Sequence, residues 1–119
     1  MQLRQFVTAL KEERDALLAS YTCADSTTQV AQELREAGLT SEQLRHVVAA
    51  LDTALTESFY TILLALDGAA SLDGAQRPYQ ILDEAGNVIS AGDGSLEALA
   101  FDVFHSQPSR SPKTAAAPI

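Results

Sequence analysis

Residues 40–68 read TSEQLRHVVAALDTALTESFYTILLALDG, and this stretch decides the fold. Leu44, Val47, Val48, Leu51, Ala54, Leu55, Phe59, Ile62, Leu63 and Leu66 recur at three- and four-residue steps, the period of one helix face. Thr40 followed by Gln43 makes a capping box, in which hydroxyl and amide satisfy two backbone N–H groups reciprocally. Glu42 adds negative charge at the positive end of the helix dipole. In the early turns Gln43, Arg45, Asp52, Thr53 and Glu57 occupy the other face. From Phe59 onward the run is apolar nearly all round, which predicts that the last turns form the buried centre. Leu51, Leu55, Phe59, Ile62 and Leu63 are accordingly expected to be largely buried. Asp67-Gly68 ends the helix.

On the N-terminal side, Leu3, Phe6, Val7, Leu10, Leu17 and Leu18 form a second helical stripe over about Leu3 to Ser20. Arg14 interrupts it, and Glu13, Arg14 and Asp15 read as solvated. Ser26 with Gln29 fits another capping box. Val30, Ala31, Leu34 and Ala37 then make a short helix that Gly38 stops in a left-handed conformation.

On the C-terminal side the period changes. Residues 69–77 read as a loop with Asp73-Gly74 inside it. Tyr79 and Ile81, then Val88 and Ile89, flank Asp83-Glu84-Ala85-Gly86-Asn87, which predicts a β-hairpin. Pro78 lacks an N–H and suits the start or edge of a strand. Ser95 opens a last helix carrying Leu96, Leu99, Ala100, Val103 and Phe104, with Glu97 in its first turn. Beyond His105 the chain holds three prolines and no apolar period, the composition of a disordered tail. The expectation is a mostly helical α+β domain over residues 1–105: three N-terminal helices with the central one long, a hairpin, a C-terminal helix, and a tail over 106–119.

A chain of 119 residues has the length of one domain and can bury a core without metals or disulfides. The single cysteine, Cys23, excludes an internal disulfide and a thiolate-rich zinc site. It has no basic neighbour close in sequence and reads as an inert thiol. The N-terminal stretch is charged rather than apolar, so no signal peptide is expected. The strongest apolar run, Phe59–Leu66, is too short to span a bilayer, so the expectation is a soluble cytoplasmic protein without a membrane anchor.

The net charge is −8. Nine acids and five bases fall in residues 1–66, seven acids and only Arg77 in residues 67–105, and Arg110 and Lys113 beyond. A field of this sign repels phosphate backbones, which argues against nucleic acid, and speeds encounter with a basic protein. The acids that could form a partner-binding face are Asp67, Asp73, Asp83, Glu84, Asp93, Glu97 and Asp102, and their plain reading is solvated connectors. His105 follows Asp102 by one helical turn, a spacing that can orient a general base, but a histidine is favoured at a helix C-terminus by the dipole alone. His46 reads as an ordinary surface side chain. No nucleophile elbow, phosphate loop or EF-hand spacing is present. No catalytic residue, metal or cofactor is expected.

The segment Ser58-Phe59-Tyr60-Thr61-Ile62-Leu63-Leu64-Ala65-Leu66-Asp67-Gly68, then Tyr79-Gln80-Ile81-Leu82-Asp83-Glu84 with Gly86-Asn87, then Leu96-Glu97-Ala98-Leu99-Ala100-Phe101 and Phe104-His105, resembles small bacterial proteins grouped with the immunity proteins of toxin systems. It covers under half the chain and includes no catalytic motif. The resemblance implies a non-enzymatic antidote that covers a basic toxin. The alternative is a dimerisation module that self-associates through an apolar helix face.

Overall fold

The computed structural model describes residues 1–106. In chain order it comprises α1 (Leu3–Thr22), α2 (Gln29–Glu36), α3 (Ser41–Leu66), β1 (Ile81–Leu82), β2 (Val88–Ser90) and α4 (Ser95–Phe101). A π-helical turn, Asp102–Ser106, continues α4. This is the mostly helical α+β arrangement that the periodicities predict. The expected tail lies outside the described residues apart from Ser106.

α3 begins as its sequence dictates. Thr40 Oγ1 accepts the Gln43 N–H at 3.1 Å, and Gln43 Oε1 accepts the Thr40 N–H at 2.9 Å. At 1.5 Å per residue its 26 residues reach about 39 Å, which makes it the spine. The cap of α2 differs from the expected box. Thr28 is the N-cap and accepts from Ala31 at 3.1 Å, while the Ser26 hydroxyl instead accepts the Thr28 N–H at 3.2 Å. Two hydroxyls in series therefore lead the chain into α2.

β1 and β2 pair antiparallel, Ile81 with Ser90 and Leu82 with Val88, with an irregularity between the two pairs. The hairpin is tied to α3 through Tyr79, whose N–H donates to the Leu66 carbonyl at 2.9 Å. Gly92 keeps this junction tight. Its φ is +75°, and a Cβ there would lie 2.8 Å from Pro78 Cβ.

The core sits at one end of the spine. Val7 from α1, Leu63 from α3, Leu96 and Ala100 from α4, and Val103 and Phe104 from the π-turn form one buried cluster. Phe59 stacks on Phe104 with ring centroids 6.4 Å apart. The expected burial of α3 is corrected: of the five residues expected to be largely buried only Leu63 is, at 1% exposed, and Ile62 is 57% exposed. Leu51, Leu55 and Phe59 are half-buried. The reason is geometric. Consecutive residues point about 100° apart round a helix, so Leu63 faces the cluster and Ile62 is turned out of it. An apolar sequence all round does not supply neighbours all round.

Two substitutions check this. Leu63→Ala is expected to destabilise the fold by about 2–5 kcal/mol, through lost transfer energy and a cavity. Ile62→Ala should cost about 0.5 kcal/mol or less, as at exposed sites generally. Urea unfolding measures both, and equal losses would place Ile62 inside the core.

The second correction concerns Arg14, expected to be solvated. It is 5% exposed. Its Nη1 and Nη2 donate to Asp52 Oδ1 at 2.6 and 2.5 Å, Nη1 also to Thr56 Oγ1 at 2.7 Å, and Nε to Asp15 Oδ1 at 3.1 Å. The guanidinium thus clamps α1 to α3. The break in the α1 stripe is filled by a charge that α3 receives.

Candidate functional site

The seven acids of the expected partner face go to four separate places. Asp67 is removed from any such face, because it is 7% exposed and both of its oxygens are engaged. Oδ1 accepts the Gly94 N–H at 3.1 Å and Oδ2 the Glu97 N–H at 2.8 Å. It caps α4 from the end of α3. Asp93 stands beside it, its Oδ1 accepting the Ser95 N–H at 3.1 Å, and this bond holds its carboxyl below the ordinary aspartate value. The Glu97 side chain, also at this helix start, is exposed.

Asp83 and Glu84 lie at the hairpin turn. Asp83 Oδ1 accepts the N–H groups of Asn87 and Ala85, each at 2.9 Å, while Glu84 is exposed. The Asn87 N–H is the main cause lowering the Asp83 carboxyl below its usual range. Asp73 occupies a different turn, with φ +54° before Gly74, where Leu72 and Ala75 exchange two backbone hydrogen bonds. Asp and Gly are the pair such a two-residue turn favours, because both central residues need positive φ. Asp102 meets Arg4 Nη1 at 3.4 Å across the α1 surface. Much of the acidic inventory therefore serves local architecture. Asp73, Glu84, Asp93 and Glu97 are exposed in the 67–102 segment.

His46 is exposed on α3. The His105 ring packs edge-on against Tyr60 with centroids 4.4 Å apart and lies 6.1 Å from Phe101. Cys23 is exposed and donates its S–H to Asp25 Oδ1 at 2.8 Å, the main cause lowering the Asp25 carboxyl. Near it, the end of α1, α2 and the start of α3 enclose an open cleft of about 330 Å³ lined by Tyr21, Cys23, Ala31, Leu34, Leu39 and Leu44 among others. Arg35 at its edge donates to the carbonyls of Ala24 and Ser26, at 3.3 and 2.8 Å, and pins the loop. Among the described residues no three His, Cys, Asp or Glu side chains gather as a metal site.

α3 also carries apolar side chains away from the core. Asp52, Thr56 and Leu63, which meet α1 and the core, project within about 40° of one another. Leu44, Val47, Leu51, Ala54, Ser58 and Thr61 project from a sector centred about 150° away. That sector holds no charged residue between Gln43 and Ile62. Ala54, Ser58, Thr61 and Ile62 are exposed, and Leu44, Val47 and Leu51 are half-buried. The best 18-residue window of α3 has a mean hydropathy of 1.4, yet only 6% of it is buried. By length and composition alone α3 could also cross a membrane. The sequence carried the signal for this face in its charge-free stripe, which the apolar period had assigned to the core.

Comparison of the chain with protein-family models, curated proteins and solved structures finds no match.

Proposed function

We propose that this chain is a non-enzymatic protein-interaction domain that docks through the uncharged face of α3. The observation that carries this reading is the mismatch on α3: a long apolar helix that contributes only Leu63 and Ala65 to the buried interior. Water around an uncovered apolar stripe is released when another protein surface covers it. A second reading, an acidic antidote to a basic toxin, is supported by the exposed side chains of Glu84, Asp93 and Glu97 and by the net charge of −8. Steering of that kind is weakened by salt.

Capture from the source cells separates the two. Tagged protein, an Ala54→Glu variant and a Glu84→Lys/Asp93→Lys/Glu97→Lys variant are compared at low and high salt. Loss of the captured protein from Ala54→Glu at both salts is the expected result. Loss confined to the triple variant, and for the parent at high salt, would establish the acidic face instead. Retention by both variants would overturn both readings.

A further inference from the structure

We infer that Asp73-Gly74 is a site of spontaneous backbone modification, the one Asp-Gly bond among the described residues that the fold leaves open to isoaspartate formation. The chain holds three such bonds, at Asp67-Gly68, Asp73-Gly74 and Asp93-Gly94. In this reaction the glycine N attacks the aspartate Cγ, and glycine favours it because no side chain blocks the approach. The carboxyl O–H and the amide proton leave together as water, and a succinimide ring closes. Water then adds back at either ring carbonyl. Opening at Cγ returns aspartate. Opening at the former backbone carbonyl leaves the chain running through Cβ and Cγ, with the old main-chain carbon now a free carboxylate. The water lost is regained, and no oxidant or cofactor takes part.

The three bonds differ in what already holds the reacting groups. Asp67 is buried and both its oxygens accept N–H groups, from Gly94 and Glu97, while the Gly68 N–H donates to the Ala65 carbonyl at 3.1 Å. At Asp93-Gly94 the nucleophile is engaged, since the Gly94 N–H donates to Asp67 Oδ1 at 3.1 Å. The Ser95 N–H also holds the Asp93 carboxyl below its ordinary value, and an ionised carboxylate is the poorer electrophile. Asp73-Gly74 has neither restraint. Among the described residues no hydrogen bond reaches the Asp73 carboxyl or the Gly74 N–H. Asp73 is exposed, and a Cβ built on Gly74 would meet nothing within 4 Å. Ring closure needs Asp73 to rotate about its Cα–C bond out of the left-handed turn. The two backbone hydrogen bonds between Leu72 and Ala75, at 2.8 and 3.0 Å, must open first. None of Leu72, Asp73, Gly74 and Ala75 belongs to the buried cluster, so this opening is local.

Peptide mapping of the full chain reads this, with electron-transfer fragmentation to distinguish isoaspartate from aspartate at each residue. The protein is aged for weeks at mildly acidic pH and physiological temperature, once folded and once in denaturing urea. Circular dichroism confirms that the first sample stays folded. In that sample isoaspartate is expected at residue 73 about tenfold faster, or more, than at residue 67 or 93, which must first release their hydrogen bonds. In urea the fold no longer discriminates, and the three rates should agree within about threefold. Asp73→Asn tolerates the same left-handed turn, and its amide leaves as ammonia without needing a protonated carboxyl. That folded variant should convert about tenfold faster again, read by the same mapping. Equal rates at the three positions in the folded chain would overturn the inference. So would a rate at residue 73 that rises about tenfold on unfolding, because the turn would then be as protected as the other two bonds. A folded Asp73→Asn chain that keeps its amide over the same period would also overturn it.

Discussion

Asp52→Ala is expected to destabilise the fold by about 3 kcal/mol, more than Arg14→Met, although the two residues form one ion pair. The asymmetry follows from where each charge sits. The Arg14 side chain is 7% exposed and that of Asp52 is 53% exposed. Removing Arg14 leaves a carboxylate that water can solvate, and methionine fills most of the vacated volume. Removing Asp52 leaves a guanidinium enclosed between α1 and α3. The carbonyl of Asp52 at 3.2 Å, the hydroxyl of Thr56 and the side chain of Asp15 remain as acceptors. They satisfy some of its donors, but only Asp15 supplies charge. Asp52→Asn should fall between, because an amide oxygen keeps the hydrogen bond and loses the charge. Urea unfolding orders the three. If Arg14→Met proved more damaging than Asp52→Ala, the guanidinium would have to be open to water.

This pair also marks a boundary between what the sequence discloses and what it does not. The α3 cap was legible because Thr40 and Gln43 act within one turn. The hairpin was legible because Gly86-Asn87 and the change of period are local as well. Arg14 was not, since a charge in an apolar stripe normally points to solvent, and its acceptor lies 38 residues away. A reader could have noticed that Asp52 and Thr56 interrupt α3 one turn apart, as Arg14 interrupts α1. Only the antiparallel approach of the two helices turns those interruptions into one contact.

Ile62 failed for the converse reason. Periodicity reports which residues would gain from burial, and packing decides which of them have neighbours. Leu51 is half-buried and Ala54 and Ile62 are exposed, while Leu63 alone of these reaches the buried cluster with α1 and α4. The acidic inventory shows the same limit. A count of charges does not record that Asp83 and Asp93 already accept backbone N–H groups at the starts of a turn and a helix.

Asp67 is the strongest case, and its removal is the second large effect expected. α4 has seven residues, too few for an isolated helix to persist. Its N-cap is Gly94, with φ +95° and no side-chain oxygen to offer. Asp67 supplies both oxygens from the end of α3, to the N–H groups of Gly94 and Glu97, and places a negative charge at the positive end of the helix dipole. The helix it holds brings Leu96 and Ala100, both 0% exposed, into the core, followed by Val103 and Phe104. Asp67→Ala leaves the Gly94 and Glu97 N–H groups, at a part-buried contact, without their acceptor and is expected to cost about 2–4 kcal/mol. Asp67→Asn should cost less, because the amide keeps one acceptor while its NH₂ must face the other N–H. Asp93→Ala, which removes an exposed acceptor from the same helix start, should cost less again. Urea unfolding gives the order, and hydrogen exchange at the Glu97 amide gives the cause, since its protection should fall in both Asp67 variants. An Asp67→Ala protein as stable as its parent would mean that the hydrophobic contacts of Leu96 and Ala100 alone seat α4, with the carboxylate incidental to the join between the two helices.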